Sequence, residues 1–576
     1  MNKNILNIKS VLAGLLAVMM ASCSFLESGV PAGTLTDEQV QSADLVDNLV
    51  ISAYAIFMSA EDINSSFSMW NYDVRSDDAY KGGSDPNDGQ VFHQLEISQG
   101  IMTTDWNISD MWQRLYNCIS RANMAIASLE RVDGAQYALK NQRLAEMKFL
   151  RAYGHFLLKR LYRNIPFIIN PNLTQEEYNT LSNTEYSNDE GWAVIARDLT
   201  EAFKYLPEEQ EEVGRPSKAA AAALLAKVYL YKAYRQDTPG SYAVTSINAA
   251  DLDSVIRYTD PEIYTKGKFN LENDFHNNFR PEPQYENGVE SIWAIQYSMN
   301  DGTAKGNLNW SYGLIVPNIA GVTDGGCDFY KPSQNIVNAF KTDAAGLPLI
   351  EDYNKTRYNM EVDNADPRLF LTIGMPGTPY MFNTDFIIDY SNNWSRSGGT
   401  YGYYISLKHN VDPASGYLIK GSWWGSPMNR IVLRYADVLL MRAEARALQG
   451  ECGEATALIN QLRVRAKNST AMLADYERDY HVHLLVNNYT VADQPTTLAR
   501  VKMERRLELA MESERFFDLV RWGEAGAVLT TYYAEEVKYC PVYDKAAFTL
   551  NKHEYLPIPE AQMAASNGHY TQNINW

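Results

Sequence analysis

The stretch ERRLELAMESERFFDLVRW, residues 504–522, constrains the fold of this chain more than any other. Leu498, Val501, Met503, Leu507, Ala510, Met511, Phe517 and Val520 recur near helical spacing, and Pro495 with Thr496 and Thr497 supplies a start signal, so the pattern predicts one long helix. Its charges lie too close to the apolar positions for a plain surface helix. Arg505 can meet Glu508 three residues on, Glu512 can meet Arg515, and Glu514 crowds Asp518. A helix packed on more than one side must pair such charges internally, because an unpaired buried charge is strongly destabilising. The competing arrangement leaves the charged face in solvent, the commoner fate of ions.

Helical periodicity recurs along the chain. Residues 36–59 open with Thr36 and Gln39 in a capping-box pattern, then place Val46, Leu49, Val50, Ala53 and Phe57 on one face. Residues 107–131 and 137–163 predict a helical hairpin around Val132-Asp133-Gly134. A second pair falls at 189–206 and 217–235, the latter with five consecutive alanines at 219–223 that let neighbouring axes approach closely. Residues 434–449 and 454–466, separated at Gly450, make a third hairpin about as long as one tetratricopeptide repeat of ~34 residues. The usual repeat signature is absent and the other hairpins are longer, so the arrangement is tetratricopeptide-like.

Two stretches break the pattern. Residues 61–104 lose periodicity and carry Trp70, Tyr72, Asp73, Arg75, Asp77, Asp78 and Tyr80. From about 265 to 430 the chain is rich in Gly, Asn, Pro and aromatic rings, which predicts short strands and loops mounted on a helical body. The domain plan is therefore an export segment at 1–22, a helical region at 23–264, an irregular aromatic region at 265–430 and a C-terminal helical region at 431–576.

The export segment has Lys3 and Lys9 before the apolar run VLAGLLAVMM, and Met20-Ala21-Ser22 ahead of Cys23 resembles a bacterial lipobox with Met in place of the usual Leu. Lipidation of Cys23 is the expectation, against ordinary cleavage or an uncleaved anchor. Two or more acyl chains hold a protein stably where one is marginal. Cys118, Cys327, Cys452 and Cys540 are far apart, contain no Cys-x-x-Cys, and predict buried thiols rather than a zinc site, with one disulfide open. A net charge of −19 argues against nucleic acid as a partner.

Six segments in order resemble the SusD/RagB family of outer-membrane nutrient-binding lipoproteins: residues 144–168, 214–233, 433–445, 504–523, LPIPEAQM at 556–563 and QNINW at 572–576. Arg163-Asn164 departs from the family's common Gly-Asp, at a local turn. The resemblance implies a mainly α fold, a right-handed tetratricopeptide-like superhelix carrying an irregular, loop-rich ligand-binding part. It also implies a lipid-anchored protein on the exterior of the outer membrane, capping a SusC-like TonB-dependent transporter and capturing oligosaccharides, or peptides as some relatives do. No cofactor is expected, and no metal-ligand residues are singled out.

Sugars present C–H faces that lie on Trp and Tyr, and hydroxyl edges that need Asp, Asn, Arg or Gln. The residues that combine both are Trp70, Tyr72, Asp73, Arg75 and Asp77 in the first loop, Trp106 and Asn107 at a helix start, then Trp310, Tyr312, Tyr330, Trp394, Tyr401, Tyr403, Trp423 and Trp424. For any single ring, packing in the interior is the competing role. The chain's 70 acidic residues make carboxylate pairs uninformative, and no H-E-x-x-H, G-x-S-x-G or phosphate loop is present, so the expectation is a binding protein rather than an enzyme.

Overall fold

The computed structural model describes residues 43–57, 70–303, 306–391, 393–421 and 423–576. Cys23, the export segment and the Thr36 and Gln39 pattern lie outside the described residues, as does the side chain of Trp70. The first described helix, α1 (Ala43–Phe57), turns Val46, Val50, Ala53 and Phe57 inward, as their spacing requires. It packs on α2 (Trp106–Arg131), which forms the expected hairpin with α3 (Lys140–Tyr162). The two axes cross so closely at Gly154 that a Cβ there would stand 2.9 Å from the Ile119 side chain.

Next come α4 (Asn188–Tyr205), started by a Ser187/Glu190 capping box, and α5 (Lys218–Ala233), capped by Ser217. All five alanines of 219–223 are buried, because α5 is packed by α4 on one side and by α6 (Ala249–Tyr258) on another. The stack then jumps the irregular region: α6 packs on α7 (Tyr435–Leu448), α7 on α8 (Cys452–Asn468), and α9 (Gln494–Glu508) on both. Successive helix pairs packed in chain order give a mainly α, tetratricopeptide-like scaffold.

The long helix expected over 504–522 is interrupted. After α9 the chain turns through Met511 and Ser513, both with positive φ, and resumes as α10 (Arg515–Trp522) and α11 (Ala525–Glu536). The helical spacing runs straight through the break, and tertiary pairing overrides it. The burial expected from the sequence is present, but its ion pairs reach to other segments rather than along one helix. Arg505 binds Asp518 at 2.6 Å and also Asp437; Glu508 accepts from Arg434 at 2.6 Å, Arg368 at 3.0 Å and Arg465; Glu504 meets Arg368 at 2.7 Å and Arg463 at 3.0 Å. Glu444, buried against this cluster, is pushed up by desolvation but held down to about 2 by the Arg521 guanidinium.

The irregular region is closed at its base by two strands. The strands that frame the region, numbered in chain order with the remaining ones unlabelled, are β1 (Ala79–Gly82), β2 (Ser291–Ile295), β3 (Phe329–Pro332), β4 (Ile419–Lys420), β5 (Trp424–Gly425) and β6 (Arg430–Arg434). Antiparallel pairing of β2 with β6 returns the chain beside the point where it left, so residues 296–429 stand on the scaffold as one excursion. That excursion has its own core of Ile319, Tyr380, Ile388, Trp394, Ile405 and Leu407. A second core joins Phe275, Ile336, Val337, Phe340 and Phe370 to Tyr476 and Leu507 from the C-terminal helical part. Pairing of β1 with β3 fastens the first loop to the excursion.

Arg163 adopts φ 58, a conformation that suits Gly. The turn is kept because the guanidinium donates to Gln236 at 3.2 Å and lies 4.7 Å from the Tyr242 ring centre. Cys118, Cys327 and Cys540 are buried and Cys452 partly so, all four as free thiols. Among the described residues, no helix is long and apolar enough to cross a membrane.

Candidate functional site

The structure corrects much of the first-loop expectation, because most of its polar residues face inward. Tyr72 donates to the Asn107 carbonyl at 3.0 Å, and both residues are buried; the Asn107 side-chain amide finds no protein partner. Asp73 accepts from the Tyr330 hydroxyl and from the Phe516 N–H at 3.3 Å, and burial pushes its carboxyl up to about 7. The Arg75 guanidinium lies 3.9 Å over the Phe516 ring and donates to the His553 carbonyl. Asp77 sits between Arg515 at 2.8 Å and Arg506 at 3.0 Å. These contacts pin the first loop to α9 and α10.

Tyr330, Trp394 and Tyr401 are interior as well. Trp394 packs on Tyr380 at 5.8 Å, and Tyr401 lies beneath the Lys81 ammonium at 5.3 Å. Tyr72, Asp73, Arg75, Asp77, Asn107, Tyr330, Trp394 and Tyr401 therefore shape the loops rather than meet a ligand. Desolvation decides this: apart from Arg75 Nη1, Asp78 Oδ2 and the Asn107 amide, the buried polar groups of the first-loop residues Tyr72 to Tyr80 are answered by protein partners that a ligand would have to displace.

Trp106, Trp310, Tyr312, Tyr403, Trp423 and Trp424 keep part of their rings at the surface. Trp106, 49% exposed, stands edge-on to Phe92 at 5.9 Å. Gly89 lets the Phe92 and Phe329 rings close over the chain, since a Cβ there would be 3.3 and 3.5 Å from them. Beside these rings Asp88 and Arg396 form a half-open ion pair at 3.1 Å.

A second cluster is built on the β4–β5 hairpin. Lys420 pairs across it with Trp424 and holds its ammonium 4.4 Å from that ring. The Trp310 ring lies against Gly421 and Gly425, where a Cβ would come within 2.4 and 2.9 Å of it, so only glycine admits the indole. Trp423 projects beside the hairpin, 36% exposed. Tyr312 meets His409 edge-on at 4.7 Å. The two clusters are neighbours through one strap of chain, in which Asp328 N–H donates to the Val316 carbonyl at 3.0 Å and Phe329 N–H to that of Leu314 at 3.1 Å. A third, around Tyr403 and the exposed Tyr390 at 5.6 Å, joins through the 395–404 loop, whose Ser395 hydroxyl donates to Asp328 at 2.8 Å.

Sequence reasoning missed Phe92, Asp88, Phe329, Arg396, Lys420 and Tyr390. The signal lay in the glycines: Gly83 and Gly89 mark where backbone gives way to the Phe329 and Phe92 rings, as Gly421 and Gly425 do around Trp310. Tryptophan drew the attention that phenylalanine and charged pairs shared in fact. The face offers flat rings flanked by one carboxylate, one guanidinium and one ammonium, a set that matches a ligand with C–H faces and hydroxyl edges. Among the described residues, no three His, Cys, Asp or Glu side chains gather as a metal ion would require.

Comparison with known proteins agrees with the architecture. The SusD family model matches residues 289–576, and a model described as starch-binding associating with outer membrane matches residues 24–230. SusD-like protein P25 of Formosa agariphila is 22% identical over 582 aligned positions, spanning 95% of this chain and 97% of its own length. A solved SusD homolog from Bacteroides thetaiotaomicron superposes with TM-score 0.71 at 20% identity, over 94% of this chain and 99% of that one. Surface glycan-binding protein A from the same organism, solved in complex with laminarihexaose, gives TM-score 0.66 at 19% identity over 92% and 99%. With half of the chain under the SusD family model, and the helices before it under a second SusD-like model, the chain belongs to the SusD/RagB family.

Proposed function

We propose that this protein captures oligosaccharides at the cell surface without cleaving them and hands them to a SusC-like TonB-dependent transporter of the outer membrane. The observation that carries the reading is the loop-built face on which Trp106, backed by the buried Phe92 ring, and Trp310, Trp423 and Trp424 stand next to Asp88, Arg396 and Lys420. Family membership supports it, and so does the laminarihexaose complex of a related fold. In this reading Cys23 carries the lipid that holds the chain on the outside of the membrane, a placement supported by the outer-membrane association in the matching model's description.

The rings take the sugar faces by stacking, and the Asp88–Arg396 pair and Lys420 take the hydroxyls. Surface exposure keeps these contacts exchangeable, which suits a protein that must release its ligand to a transporter. Trp106 and Trp423 are the informative positions, because both are exposed and their loss leaves the core intact. In calorimetric titration with the glycan that binds the wild type, Trp106→Ala or Trp423→Ala should weaken binding about thirtyfold, the ~2 kcal/mol of a stacking anchor. Melting temperatures should match the wild type. Unchanged affinity in both variants would remove the loop face from the reading.

A further inference from the structure

Four chain segments converge around Arg357, an exposed arginine of the irregular region. Its guanidinium lies 5.8 Å from the Tyr539 ring centre and donates to the Tyr404 hydroxyl at 3.4 Å. Tyr390, 70% exposed, is brought toward this group by Tyr403, the residue before Tyr404, which braces it edge-on at 5.6 Å. The Tyr404 hydroxyl is oriented from below. Buried Gln334 donates its amide N–H to Asn338 at 2.8 Å, which turns its carbonyl oxygen toward Tyr404; the tyrosine donates there at 2.9 Å. Its proton thus committed, the Tyr404 oxygen is left as an acceptor for Arg357.

Arg357 has no carboxylate partner among the described residues. This contrasts with its neighbours on the loops, since Arg396 holds Asp88 at 3.1 Å and Arg280 holds Glu282 at 2.7 Å. In a chain of net charge −19, an exposed guanidinium framed by rings and kept from every carboxylate is a poised cation. The guanidinium fork fits a carboxylate or sulfate through two parallel N–H bonds, which an ammonium does not.

We infer that Arg357, framed by Tyr390, Tyr404 and Tyr539, reads the anionic group of an acidic oligosaccharide, with the sugar ring resting on the exposed tyrosines. The inference rests on the capture reading above and names its ligand class. Arg357, through Tyr404, and the Asp88–Arg396 pair both contact the 395–404 loop, so one oligosaccharide lying along that loop would place its acidic residue at Arg357. The protein's overall negative field opposes such a ligand only weakly at physiological salt, where screening acts over about 8 Å, and the local arginine decides the contact.

The test is titration of the wild type, Arg357→Gln and Arg357→Lys with a neutral glycan panel that includes laminarihexaose, a galacturonate hexasaccharide and a sulfated galactan hexasaccharide. The wild type should bind an acidic probe. Arg357→Gln should weaken it at least tenfold, with neutral-glycan affinity and melting temperature unchanged, and Arg357→Lys should recover part of the loss. Which acidic probe responds separates carboxylate from sulfate. Neutral binding with no acidic binding, or acidic binding unaffected by Arg357→Gln, would overturn the inference while leaving glycan capture standing; no glycan binding at all would overturn both.

Discussion

Arg368 offers the sharpest probe of how the scaffold is held. Its side chain is fully buried, donates to Asp366 at 2.7 and 3.0 Å and to Glu508 at 3.0 Å, and forms an ion pair with Glu504 at 2.7 Å. In Arg368→Met, Glu504 keeps Arg463 and Glu508 keeps Arg434 and Arg465, but Asp366 loses its direct cation. Orphaning one buried charge costs about 3–5 kcal/mol, a large share of the ~5–15 kcal/mol by which proteins are stable. Unfolding entropy near 2 cal/mol/K per residue converts that cost, for a chain of this length melting as one unit, into a fall of roughly 3–4 °C. Removing the orphan as well, in Arg368→Met/Asp366→Leu, should recover most of the loss, since a missing pair costs far less than half a pair. Calorimetric melts are the assay, with Lys268→Met as control because the Lys268–Glu209 pair is 75% and 53% exposed. If Arg368→Met melts with that control, the ion network contributes nothing to the scaffold and the reasoning fails.

Two further outcomes are expected. Burial raises the Glu536 carboxyl to about 7 against hydrogen bonds from Tyr80 and from the Gln334 N–H, whereas an unfolded glutamate ionises near pH ~4.3. Between those values the folded state holds the extra proton, so stability falls as pH rises; Glu536→Gln should match the wild type at pH 4 and exceed it by about 3 kcal/mol at pH 8 in denaturant unfolding, and equal differences at both pH values would refute the assignment. Cys23→Ala should release the protein from membranes into the soluble fraction, and continued sedimentation with outer membrane in cells lacking the transporter would contradict the lipid anchor.

The helical scaffold was legible because its periodicity is local: the faces of α1 to α5, α7 and α8 follow from spacing that a single segment carries, and the alanine run announces a crowded axis, whereas the short α6 went unread. The break between α9 and α10 was not legible, since the 3.6-residue pattern continues through it. What interrupts the helix is Asp77 binding Arg515 and Asp73 accepting from Phe516 N–H, partners more than four hundred residues away. The same long-range pairing hid the fate of the first loop, whose Asp77 and Asp78 proved to be the other half of buried ion pairs with Arg506 and Arg515. Aromatic richness marked the region that carries the candidate face, yet sequence could not sort Trp106 at the surface from Trp394 inside, because that depends on which loop covers which. Tyr390 and Tyr539 carry no motif; only the fold brings them to Arg357.

The measurement that tests the central claim most directly is equilibrium binding of the purified wild-type protein to a broad oligosaccharide panel, with a peptide panel in parallel and the sugars analysed afterwards. The account predicts saturable binding of at least one oligosaccharide, recovered at its original length, and no comparable peptide binding. Shortened sugars in the recovered sample, or peptide binding with no affinity across the glycans, would contradict it.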